Sequence, residues 1–235
     1  MAHVTHDTGQ TNAIETALHG SGPERRQAVE HIIAAHWKPL YKYLRFRHDP
    51  SPGDAQALMA HYLEDVLKPG FFFKFDPRSG PLRNFLRKEL DRFAGHWKGE
   101  RRAPGTLPID YASADEEYQS EKRFAGIAAD EYFESEWVRN VFALAVGVLQ
   151  ATLETEGKNN HFMLFIQSDL QDRTSGERAF LDEIARELGM PINDAMNALA
   201  TTRQTFHHIM KDIVRSLTTT DAEFKQELGN IFKGS

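Results

Sequence analysis

The chain has 235 residues, 40% of them hydrophobic and 26% charged, a net charge of −6 and no cysteine. Length and composition fit a globular protein of two small domains or one large one. The negative balance excludes a protein that coats nucleic acid through many phosphate contacts, and the missing cysteines exclude disulfides, thiolate metal sites and a thiol nucleophile, which suits a cytoplasmic address.

The opening "MAHVTHDTGQTNAIETALHG" is polar, lacks a signal-peptide pattern and reads, with the next three residues, as a mobile segment over 1–23. No apolar run approaches the ~18 residues a membrane span requires, so no membrane contact is expected. Helical periodicity begins at "SGPERRQAVEHIIAAHWKPLYKYLRFR", where Ser21, Gly22 and Pro23 mark a helix start. Val29, Ile32, Ile33, Trp37, Leu40, Tyr41 and Leu44 form its apolar stripe, and Pro39 predicts a bend or a split. A second helix opens at Ser51-Pro52, turns Ala55, Leu58, Tyr62 and Val66 inward, and stops at Pro69-Gly70. The aromatic bridge "FFFKFDPRSGP" leads to a third helix, "PLRNFLRKELDRFAGHWKGERR", with Leu82, Phe85, Leu86, Leu90 and Phe93 on its apolar side.

From Asp110 to Glu136 the chain carries nine acidic residues against Lys122 and Arg123. With Pro104, Gly105 and Pro108 ahead of it, the range 103–136 reads as an acidic interdomain linker with one short helix. Helical patterning returns at "WVRNVFALAVGVLQATLETEG" and "NNHFMLFIQSDL", followed by "GERAFLDEIARELGM" after Ser175 and by a helix running through "FHHIMKDIVRSL". A last helix, "DAEFKQELGNIF", is expected to cap on Asp221. The fold class predicted is all-α: a domain over 24–102, the linker over 103–136, a domain over 137–217 and a helical tail over 218–235.

The chemistry of enzymes finds no foothold. None of the 11 histidines falls in a metal-ligand spacing, and neither a phosphate-cradling glycine loop nor a serine nucleophile elbow occurs. No cofactor, no metal and no catalytic residue is expected. Two other signals are stronger. In "FLDEIARELGMP", Leu181, Ile184 and Leu188 share a face, small Ala185 admits a close neighbour, Gly189 suits a tight turn and Asn193 suits a helix cap, the pattern of a helix–turn–helix. Ala198, Leu199, Phe206 and Ile209 would pack back on the first helix. Between Pro81 and Arg102, seven basic residues are interleaved with Phe85, Phe93 and Trp97, against three acidic ones. Cations that grip phosphates beside aromatics that stack unpaired bases suit a single strand of nucleic acid.

In this order, the segments resemble the extracytoplasmic-function type of bacterial RNA polymerase sigma factor, in a long-tailed variant, over roughly residues 24–232. "HWKPLYKYLRFRHDPSPGDAQALMAHYLEDVL" is similar to that family's first conserved block, "FFFKFDPRSGPLRNFLRKELDRF" to its phenylalanine-rich turn and arginine-rich promoter-melting helix, "LPID" to the opening of its linker, and "DAEFKQELGNIF" to its closing helix. The resemblance implies a first domain that binds the polymerase core and opens the −10 element, a linker that enters a basic channel, and a second domain that reads the −35 element. Carried onto this chain, it implies −10 contacts from Arg83, Arg87, Lys88, Arg92, Phe93, Trp97, Lys98 and Arg101. It implies −35 contacts from Asn193, Asn197, Thr201, Thr202, Arg203, Gln204 and His207, and polymerase contacts from Asp54, Leu58, His61, Tyr62 and Asp65.

The chain departs from the family at both functional faces. Where the family carries "EDLTQE", this chain has Gln56, Ala57, Leu58, Met59, Ala60 and His61, without the acids expected at 56, 57 and 61. Several arginines are usual across the stretch matching 201–207; here Arg203 stands among Thr201, Thr202, Gln204 and Thr205. The reading is therefore a divergent sigma-like factor, acting on polymerase core and promoter DNA with the help of a partner or a charge-adding modification. The alternative is a sigma-shaped protein that binds a regulator or anti-sigma-like protein without initiating transcription. A third reading is a stand-alone repressor built on the C-terminal module.

Overall fold

The structure, a computed structural model, describes residues 12–97, 107–121, 126–170 and 177–233. These residues are all-helical: α1 (Ala13–His19), α2 (Gly22–His48), α3 (Pro52–Leu67), α4 (Leu82–His96), α5 (Tyr111–Glu121), α6 (Ala129–Thr155), α7 (Asn159–Phe165), α8 (Glu177–Glu187), α9 (Ile192–Ser216) and α10 (Asp221–Lys233). The chain divides into two compact units, 1–140 with 214–235, and 141–213. Thus α6 and α9 each contribute to both.

The first unit is built on α2. Its apolar stripe is buried as the periodicity predicts, with Val29, Ile32, Leu40, Tyr41 and Leu44 almost inaccessible. Pro39 does not split the helix, which runs on to His48 and ends at Asp49 in the left-handed conformation (φ 45°). The segment 1–23 was expected to be mobile, yet α1 is ordered from Ala13. The Asn12 side chain accepts hydrogen bonds from the backbone N–H groups of Ile14 and Glu15, and Ala13, Ile14 and Ala17 are buried. Three small or medium apolar residues in one turn and a half are too few to register as a periodic stripe.

Ser51 caps α3 by accepting from the Asp54 N–H, with Pro52 in the first turn. After α3, Gly70 takes φ 90°, which a side chain would strain, and starts a 3₁₀ turn, Phe71–Lys74. Phe71, Phe72 and Phe75 are buried there, whereas Phe73 is 72% exposed.

The range 103–136 is the largest departure from expectation. Its described part is docked helix rather than an open tether. The short helix α5 buries Ala114 and Tyr118, and α6 begins at Ala129, burying Tyr132, Phe133 and Trp137. The acids supply the other half of the docking. Glu117 meets Lys38 at 2.6 Å and Lys42 at 2.9 Å, Asp115 meets Arg45 at 3.0 Å, and Glu136 meets Lys42 at 2.8 Å. Rings follow the charges: Trp37 and Tyr41 pack on Tyr111, and Phe46 stacks on Tyr132 at 4.6 Å. A run of acids looks like a solvated tether when only local composition is weighed, because the cations it pairs with lie some 40 to 100 residues earlier in the chain.

The C-terminal helix is also part of this unit rather than an appended tail. Thr220, not Asp221, caps α10, its hydroxyl accepting from the Glu223 N–H at 3.1 Å. Ile231 and Glu227 are buried, and the Arg215 guanidinium lies 3.7 Å from the Phe224 ring centroid.

In the second unit, α8, a glycine turn and α9 follow one another as predicted. Gly189 has φ 66° and the Met190 N–H donates to the Ala185 carbonyl at 2.8 Å, closing α8. Ile184, Ala185, Ala195, Ala198, Leu199, Phe206 and Met210 are buried, and Phe206 meets both Phe142 and Phe165 at 5.1 Å between ring centroids. The start of α9 differs from expectation: the Ala195 N–H already donates to Pro191, so Asn193 lies exposed inside the first turn instead of capping it. Between α7 and the undescribed stretch, Ile166–Leu170 forms a π-helical turn.

Candidate nucleic-acid interface

The basic helix α4 splits into two faces. Arg83 lies on the inner one, with 7% of its side chain exposed, paired with Glu134 at 2.7 Å and with Glu227 at 2.6 Å. Its guanidinium also sits 4.5 Å from the Trp137 ring centroid, an arrangement in which the ring's negative face offsets lost hydration. Burial pushes the Glu227 carboxyl up, against the pull of Arg83. Arg87 pairs with Asp130 and lies over the Tyr43 and Phe133 rings. These two arginines were expected to contact −10 DNA. The structure gives them to the interior instead, because the acids of α6 and α10 and the rings of α2 and α6 surround them.

Lys88 and Arg92 are exposed on the outer face of α4, whereas Phe93, and Trp97 just past the helix end, continue the side of Leu86 and Leu90 and are half-buried. Phe93 and Trp97 are 5.9 Å apart between ring centroids, and Trp97 also packs on His61 at 5.0 Å. Glu89, at the edge of the core, holds Arg92 at 2.6 Å and reaches Lys74 at 3.6 Å. The two rings form a small aromatic shelf that continues inward onto Tyr62, 5.9 Å from Phe93. Lys98 and Arg101 lie outside the described residues.

Of the residues expected to meet polymerase, Leu58 and Tyr62 belong to the core. Tyr62 donates its hydroxyl hydrogen to the Leu86 carbonyl at 2.8 Å, and burial raises its pKa well above the ordinary value. Asp54 accepts from the Ser51 hydroxyl at 2.7 Å, Asp65 pairs with Lys68 at 2.6 Å, and His61 faces Glu64 at 3.5 Å. These three remain at least partly accessible along α3.

On α9, Asn193, Asn197, Thr201, Gln204 and His207 are exposed, a neutral polar face. Asn197, Thr201 and Thr205 border a cleft of about 380 Å³ whose opposite wall includes Thr152 and His161. Thr202, expected to touch DNA, is buried. Arg203 is engaged by Asp169, its Nε donating to Oδ2 at 2.7 Å and its Nη2 to Oδ1 at 2.6 Å.

Two features were not foreseen in the sequence. One is Lys42, 2% exposed between Glu117 and Glu136. The other is His36, buried against Trp137 with Nδ1 at 2.7 Å from the Ile32 carbonyl, its pKa lowered to about 4 by burial, with Arg83 and His31 adding to the effect. His36 stands at a position that the apolar stripe of α2 already marks as inward, whereas Lys42 lies on the other side of the helix, where α5 and α6 cover it. Among the described residues, no group of three or more His, Asp and Glu side chains is placed to hold a metal ion, and no helix is long and apolar enough to cross a membrane. Compared with family models, curated proteins and solved structures, the chain matches none of them significantly.

Proposed function

We propose that the chain is a divergent sigma-like transcription factor whose first unit meets an unpaired promoter strand in company with RNA polymerase core. The observation that carries this reading is the C-terminal end of α4, where the Phe93–Trp97 pair stays half-open on a helix that also exposes Lys88 and Arg92. Unpaired bases stack on such rings with little regard to sequence, while the cations follow the phosphates. The ordered resemblance of the motifs supplies the polymerase, and of the α3 residues expected to meet it, Asp54, His61 and Asp65 remain accessible. The −10 contacts in this reading reduce to Lys88, Arg92, Phe93 and Trp97; help from a partner or a modification accounts for the thinned clamp face.

A sigma-shaped interaction protein is the second reading, favoured by the second unit. Residues 141–213 carry ten acidic residues against six basic ones, a poor surface for a polyanion. The same balance speaks against a stand-alone repressor.

Co-purification with core polymerase separates the two readings, and Trp97→Ala tests the site. Loss of one stacking ring should remove ~1–3 kcal/mol, so affinity for a single-stranded −10-like oligonucleotide with core polymerase present should fall by roughly tenfold. Lys88→Ala should weaken the same complex less and flatten its salt dependence by about 0.7 in the logarithmic slope. A sharp drop in melting temperature for Trp97→Ala, or unchanged oligonucleotide binding, would give Trp97 to the core and end this reading of α4.

A further inference from the structure

On α9, between Ile192 and Met210, Arg203 is the single lysine or arginine, so it alone on that stretch can neutralise a phosphate. Its fork is engaged by Asp169 through two hydrogen bonds of 2.6 and 2.7 Å. Both partners keep contact with water, Arg203 with 39% of its side chain exposed and Asp169 with 18%. Such a pair is held far less firmly than the Arg83–Glu227 pair, whose side chains are 7% and 3% exposed. Asp169 moreover stands in the π-helical turn Ile166–Leu170, a rare form that occurs mostly as single turns, frequently at functional sites. A phosphate presents the same two-oxygen geometry to a guanidinium as a carboxylate does.

We infer that Asp169 is a positioning residue that withholds Arg203 from DNA, and that a duplex phosphate must displace its carboxylate before α9 engages the groove. The exposed neighbours Asn197, Thr201, Gln204 and His207 then supply base-edge hydrogen bonds, but only after Arg203 has anchored the helix. This rests on the sigma-like reading in one respect, that the second unit meets duplex DNA.

The test uses the full chain, a fluorescent 30-base-pair duplex of mixed sequence, no polymerase, and a salt series. Asp169→Asn should tighten binding about tenfold and steepen the logarithmic salt slope by about 0.9, the gain of one phosphate contact. Arg203→Ala in the natural background should change little, and in the Asp169→Asn background it should abolish the gain. A general effect of removing one negative charge predicts instead the same gain with or without Arg203, which would overturn the inference. So would a loss on Arg203→Ala alone, since Arg203 would then already be touching DNA. Arg203→Lys keeps the cation and loses the fork; it too should bind more tightly than the natural chain, and it decides the question if Asp169→Asn does not fold. Failure of both variants to tighten binding, with melting temperatures unchanged, overturns the inference without touching the α4 reading, which is measured on a single strand with polymerase.

Discussion

Helices α4 and α9 are the two elements that the sequence marks for nucleic acid, and they use arginine in opposite ways. In α4, Arg83 and Arg87 point into the first unit and are surrounded by Glu134, Glu227, Asp130 and the rings of Trp137, Tyr43 and Phe133. In α9, Arg203 stays at the surface of the second unit with a partly wet partner. A cation paired in the interior is bound up with folding, since stripping either partner leaves a charge in a poor solvent. A cation paired at the surface costs little to release and is available for exchange. A basic helix therefore cannot be read as a binding surface from its count of arginines; what matters is which acids elsewhere in the chain are placed to meet them.

The comparison breaks most visibly if the first unit is cut. A fragment of residues 24–102 loses Asp115, Glu117, Asp130, Glu134, Glu136 and Glu227, the partners of Lys38, Lys42, Arg45, Arg83 and Arg87. It is expected to show no cooperative thermal transition by circular dichroism, in contrast to the full chain. A sharp transition in the fragment would mean that the acidic segment is dispensable for folding.

Single substitutions sharpen the same contrast. Arg83→Ala leaves Glu227, 3% exposed, without its guanidinium, and should cost ~3–5 kcal/mol in urea unfolding. Arg203→Ala removes a pair whose side chains are 39% and 18% exposed and should cost about 1 kcal/mol or less. Equal losses at the two positions would erase the distinction between them.

A smaller, pH-dependent effect comes from the neighbour of that buried cluster. His36 is held neutral, with its pKa lowered to about 4 from 6.5 by burial, and with Arg83 adding to the effect. A depressed pKa means that the unfolded chain takes up the proton first. The contribution is therefore complete above pH ~6.5 and is lost as pH falls toward 4, on the order of 3 kcal/mol over that window. His36→Gln should flatten this part of the stability profile relative to the natural chain. Parallel profiles for the two proteins would show that His36 is not the titrating group.

Much of this architecture was legible from spacing. The stripe of α2, the Ser51-Pro52 start of α3, the glycine turn at Gly189 and the buried Phe206 all follow from local rules, since a helix repeats every 3.6 residues and a tight turn needs a backbone that tolerates positive φ. That Phe93 and Trp97 meet was legible too, because residues four apart on a helix share a face. What misled was charge. The nine acids between Asp110 and Glu136 look like a tether in isolation, and the arginines of α4 look like a phosphate grip.

Helical character, the starts of α2, α3 and α4, and the residues of the apolar stripes follow from the sequence, because those properties depend on neighbours within a few positions. Long-range packing alone brings Glu117 and Glu136 to Lys42, Glu134 and Glu227 to Arg83, and Asp169 to Arg203. The physical reason is that an ion pair has no sequence period: its strength is set by distance and by exclusion of water, and both arise only when segments remote in the chain are brought together.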